Sequence, residues 1–92
     1  QLVPVVTQEE CAEVIQGISK VIRFGLDQCH PETGISNKNA LEDEVGQLMY
    51  MLHRLERVYN LNSARMFKAY QRKMRMYPHW NTFSIQPEPK AE

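Results

Sequence analysis

The sequence predicts an all-α protein, a small helical bundle completed by association with further copies of the chain. Two observations carry the helices and a third carries the association. Apolar residues recur at three- and four-residue steps in three successive segments, and no run of convincing length alternates with the two-residue period of a strand. The segments are separated by helix-breaking punctuation, most clearly in "DQCHPETGISN", where Pro31 and Gly34 interrupt any regular structure. Finally, 92 residues in single-faced helices bury little apolar surface on their own, and pooling helices between copies is the natural remedy.

The first helix is read from Cys11, Val14, Ile15, Ile18, Val21 and Ile22, the buried stripe of one amphipathic segment. Thr7 with Glu10 three residues later reads as a capping box at its start, and Gly25 marks its end. Cys11, on the stripe, is expected to be a buried thiol. The second helix is predicted from Asn37–Asn39 to about Tyr59. Its Leu41, Val45, Leu48, Leu52, Leu55 and Tyr59 form a narrow seam suited to a helix packed nearly parallel or antiparallel to another. Asn62 or Ser63 can cap a third helix over about 63–76, with Phe67, Tyr70, Met74 and Tyr77 on one side and Pro78 ending it. Residues 1–80 then form one helical domain, and 81–92, with two prolines and no periodicity, an extended or loosely ordered tail.

Acidic and basic side chains number 11 each, so no overall field draws the chain to nucleic acid or to an acidic membrane. One short basic face without aromatic interleaving gives nucleic-acid binding thin support. No apolar run approaches the roughly 20 residues that cross a bilayer. Cys11 and Cys29 fit no metal-ligand spacing or disulfide framework, and nothing resembles a secretory signal; the expected location is the cytoplasm.

Within this pattern the acids are unevenly placed. Glu10 and Glu13 stand at i and i+3 on one side of the first helix, and Glu10 lies about 40° around the axis from Val14. Glu44 and Gln47 repeat the arrangement on the second, with Glu44 about 40° from Leu48. If the two seams face each other, Glu10, Glu13, Glu44 and Gln47 face each other too. Carboxylates converging in a partly dry groove raise one another's pKa values, and a hard divalent cation such as Mg²⁺ or Mn²⁺ relieves them. The competing reading is ordinary surface acids paired with Lys20, Lys38 or Arg54. It suffices for one E-x-x-E pair and becomes strained for two at matching offsets from two seams.

"EECAE" followed after a loop by "LEDEVGQL" resembles the MazG-like, all-α nucleoside triphosphate pyrophosphohydrolases, which carry E-E-x-x-E on one helix and E-x-x-D on the next. "SKVIRFG" and the closing "KMRMYPHW" look like the small phage-encoded members, and the resemblance covers most of residues 8–80. It implies Mg²⁺-dependent (or Mn²⁺-dependent) hydrolysis of an NTP or dNTP to the monophosphate and pyrophosphate, by a homo-oligomer (dimer or tetramer) in the cytoplasm, the host's if phage-encoded. Glu10 and Glu13 match the first metal-binding pair and Glu44 the third carboxylate. Glu9 matches the leading Glu, and either Glu9 or Glu13 is the candidate general base. Gln47 stands where the family has Asp; its carbonyl oxygen can ligate a cation but brings no charge, and Asp43, one turn earlier, is placed to compensate. Lys68, Arg72 and Arg75 share a face of the third helix and are candidates for the substrate phosphates, against the reading of a solvated basic face. The alternative function is a catalytically impaired helical dimer of the same fold, used for nucleotide sensing or protein interaction.

Overall fold

The computed structural model describes residues 1–81 and is all-helical, with α1 at Val3–Phe24, α2 at Asn37–Tyr59 and α3 at Ser63–Asn81. Among these residues extended pairing is confined to one isolated antiparallel bridge, Cys29 to Ser36. The chain divides into two compact units, Gln1–Leu61 and Asn62–Glu92. Of the expected tail, residues 82–92 lie outside the described residues. No helix among the described residues is long and apolar enough to cross a membrane.

The first unit is an α-hairpin. Its α1 starts four residues ahead of the expected capping box. Pro4 occupies a first-turn position, where a missing N–H is harmless, and the Val3 N–H donates to Gln1 Oε1 at 3.0 Å. Thr7 is therefore no cap. It is buried inside the helix, where its Oγ1 donates back to the Val3 carbonyl at 2.7 Å. Gly25, at φ 89°, ends α1 and donates its N–H to the Val21 carbonyl.

The connecting loop is tied to both helices. His30 N–H donates to the Ile35 carbonyl and Gly34 N–H, from a residue at φ 73°, returns to the His30 carbonyl. Ser36 caps α2, its Oγ accepting from Asn39 N–H at 3.1 Å, and Asn37 Nδ2 donates to the Gly25 carbonyl at 3.0 Å. At the far end of α2, Asn60 takes the left-handed conformation. The bonds from Asn60 N–H to Arg57 and from Leu61 N–H to Glu56 are those of a Schellman motif.

The two helices meet along a seam with heptad rhythm. On α1 it runs through Val3, Thr7, Glu10, Val14, Gly17 and Val21, and on α2 through Leu41, Glu44, Leu48, Met51, Leu55 and Val58. Its antiparallel register is fixed by Thr7 Oγ1, 3.5 Å from the Met51 carbonyl oxygen, and by Gly17, where an added Cβ would lie 3.1 Å from Leu41 Cδ1. The predicted stripes are thus split. Val14 and Val21 turn to α2, while Ile15, Ile18 and Ile22 stay 65, 44 and 76 % exposed. On α2 the seam takes Met51 and Val58, leaving Val45, Leu52 and Tyr59 exposed. Consecutive residues lie about 100° apart around a helix, so one neighbouring helix covers only one of two adjacent stripes. Cys11 falls on the uncovered side and is exposed, contrary to expectation.

In the second unit, Asn62 Oδ1 caps α3 by accepting from Arg65 N–H at 3.0 Å. Phe67 and Tyr70 stack with ring centroids 6.1 Å apart. The helix continues through Pro78 to Asn81. A proline removes one helical donor and crowds the preceding turn, a cost of about 3 kcal/mol that burdens a helix without forbidding it.

The glycines of the hairpin separate packing from propensity. Gly46 has nothing within 4 Å of an added Cβ, whereas Gly17 is in close approach to Leu41. Gly46→Ala is expected to stabilise the fold by about 0.5–1 kcal/mol, read as a rise of roughly 2–8 °C in thermal midpoint. Gly17→Ala should gain less or lose stability, because Leu41 must give way. Equal gains at both positions would contradict the seam.

Candidate metal centre

Three carboxylates converge where the seam departs from apolar residues. Glu10 and Glu13 come from α1 and Glu44 from α2, and one oxygen of each lies within 4.8 Å of the others. Glu10 and Glu44 are half-buried because they occupy seam positions, and Glu13, one turn on from Glu10, sits at the open edge. Glu10 Oε2 and Glu44 Oε2 are enclosed and have no hydrogen-bond partner among the described residues. Arg54, one of the cations considered as a neutralising partner, donates instead to Tyr50 Oη at 3.0 Å.

The electrostatics follow from this geometry. Desolvation raises the Glu10 pKa above its ordinary value, helped by the charge and hydrogen-bonding of Glu13 and by the charge of Glu9. The Glu44 pKa is raised chiefly by hydrogen-bonding with Glu13, then by desolvation and by the charges of Glu13, Glu10 and Asp43. Each is a carboxyl held where a second negative charge is unwelcome. All three donors are carboxyl oxygens, which suits a hard cation such as Mg²⁺ or Mn²⁺. Glu10, Glu13 and Glu44 are the residues that could hold it.

Gln47 is exposed on α2, one turn beyond Glu44, and Glu9 and Asp43 are exposed beside the cluster residues whose pKa values they raise. Lys68, Arg72 and Arg75 are exposed on α3, in the other unit. Beside the carboxylates lies a groove of about 270 Å³, lined by Glu13, Gln16, Gly17 and Lys20 of α1 and Asn37, Ala40 and Glu44 of α2. Sequence reasoning treated Lys20 only as a surface partner and passed over Asn37. Both were within reach of the helical pattern. Lys20 is seven residues after Glu13 and Asn37 seven before Glu44, so in an antiparallel pair they return to the same face at the same end.

The raised pKa values fix a direction for stability. In chelator the folded state binds more protons than the unfolded state once pH exceeds the ordinary glutamate value of 4.5, so stability should fall as pH rises through the raised pKa values. Glu44→Gln removes part of that penalty. Thermal melts should show it more stable than wild type at pH 7 in chelator, with the gain vanishing at pH 4. A variant less stable than wild type at both pH values would contradict the assignment. No family model, curated protein or solved structure matches the chain.

Proposed function

We propose that the chain is a Mg²⁺- or Mn²⁺-dependent nucleoside triphosphate pyrophosphohydrolase, converting an NTP or dNTP to the monophosphate and pyrophosphate. The observation that supports this reading is the pair of enclosed Oε2 atoms of Glu10 and Glu44, unpartnered among the described residues and converging with Glu13 beside a groove that also holds Lys20. Glu10, Glu13 and Glu44 would hold the cation, which when bound polarises the phosphate oxygens and lowers the pKa of a water. Glu9 or Glu13, both exposed, takes the proton of the attacking water. Gln47 contributes an uncharged oxygen at most, so the site works with fewer negative charges than the family pattern supplies.

The same reading includes self-association. Ile15, Ile18 and Ile22 on α1, with Val45, Met49 and Leu52 on α2, leave two apolar stripes uncovered, and a second hairpin would pool them into a bundle. Sedimentation should find at least two chains per particle. Ile18→Glu should shift the protein to a monomer; an unchanged particle would remove this stripe from the interface.

Pyrophosphate release from a panel of NTPs and dNTPs, with Mg²⁺, with Mn²⁺ and with chelator, tests the reaction. At least one substrate should yield monophosphate and pyrophosphate in a metal-dependent way. Glu13→Ala and Glu44→Ala should each lower kcat/KM by about 10²-fold or more without loss of helicity. Gln47→Asp should raise activity or metal affinity. No product from any substrate with either metal would leave the impaired helical dimer, a nucleotide sensor or interaction module, as the better description.

A further inference from the structure

The groove beside the carboxylates does not end at Lys20. A second cavity of about 270 Å³ adjoins it, sharing Lys20 and Asn37 and continuing over the loop between Phe24, His30 and Pro31. The two differ in chemistry. The first is walled by the Glu13 and Glu44 carboxyls; the second has none, and brings the Phe24 ring, the His30 imidazole and Pro31 together with Gln28 and Cys29. Together they reach the size range of ligand cavities, roughly 300–1,000 Å³.

The details of the second cavity fit a flat, polar-edged ring. Arg23 Cζ stands 4.9 Å from the centroid of the Phe24 ring, covering one of its faces. His30 Nδ1 accepts from the Glu32 N–H at 3.1 Å, which leaves the proton of the neutral imidazole on Nε2. Asn37 Nδ2 is committed to the Gly25 carbonyl, and its Oδ1 carries no hydrogen bond among the described residues. The N-terminus of α2, at the junction, offers an anion little. The N–H groups of Asn37, Lys38, Asn39 and Ala40 are bonded to Gln28, Leu26, Ser36 Oγ and Ser36 in turn. Lys20 is thus the cation at the junction, with no ion pair among the described residues.

We infer that the two cavities form one nucleotide site along the hairpin, with the base against Phe24, His30 and Pro31 and the phosphate chain passing Lys20 toward Glu13 and Glu44. This rests on the proposed reaction for the polarity of the site and adds to it where the base lies. Lys20 is the phosphate contact that the first unit itself supplies.

The test titrates the full chain, in Mg²⁺, with α,β-methylene analogues of the four common nucleoside triphosphates and with inorganic tripolyphosphate. At least one analogue should bind. Phe24→Ala should weaken it about tenfold, as loss of a stacking face does, and leave tripolyphosphate unchanged. Lys20→Met should weaken both. Nucleotide affinity unchanged in Phe24→Ala, equal losses for both ligands in that variant, or no analogue bound by wild type would overturn the inference. Its failure is separable from that of the proposed reaction. Wild type that binds with the expected Phe24 dependence but releases no pyrophosphate refutes the reaction alone, and steady pyrophosphate release with a Phe24-independent affinity refutes the base site alone.

Discussion

An antiparallel helix pair places a side chain at every seam position, and in this hairpin two of those positions are glutamates. That constraint organises the rest of the first unit. Glu10 and Glu44 cannot leave the seam without breaking a register that Gly17 and Leu41 fix on one side and Thr7 and Met51 on the other. The Oε2 atom of each has no hydrogen-bond partner among the described residues, and each carboxyl is pushed toward its protonated form. A seam built for stability alone would carry leucine there. Conflict between a local rule and the surrounding pattern is where functional sites are found.

The cost falls on an already thin structure. Val3 and Thr7 are the buried residues among those described, both near the start of α1, and the seam elsewhere is half-buried. Small domains hold stability through a narrow margin between burial and chain entropy. The exposed isoleucines of α1 and the exposed valine, methionine and leucine of α2 are the apolar surface from which the missing margin can come. Under the proposed reading the cation and the second hairpin serve the same end, since one neutralises the seam and the other covers its flanks.

Helix number, the bounds of α2 and the meeting of Glu10, Glu13 and Glu44 were legible in the sequence, because a helical period converts directly into a face. The loop was legible through Pro31 and Gly34, although its cap, Ser36, was passed over. The misses share a physical origin. With apolar residues on two adjacent stripes, periodicity alone does not say which stripe an intrachain partner covers, and so Cys11, Ile15 and Ile18 were assigned to the wrong side. Thr7 satisfies the spacing of a capping box, but Pro4 opens the helix earlier. Pro78 was read as a stop, whereas a single missing donor does not halt α3. Lys20 and Asn37 escaped notice because their proximity depends on the register of two helices, which no single helix encodes. Gln47 follows from the motif alone, and it is exposed on α2.

The central claim is that the unpaired seam carboxylates are there to hold a divalent cation. The most direct measurement is Mn²⁺ binding to the metal-free chain, followed by the electron paramagnetic resonance signal of the free ion, for wild type, Glu10→Gln and Glu44→Gln, each checked for intact helicity. The account predicts that wild type binds Mn²⁺ and that each substitution weakens binding by about tenfold or more. A wild-type chain that binds no Mn²⁺, or variants that bind it as tightly as wild type, would contradict it.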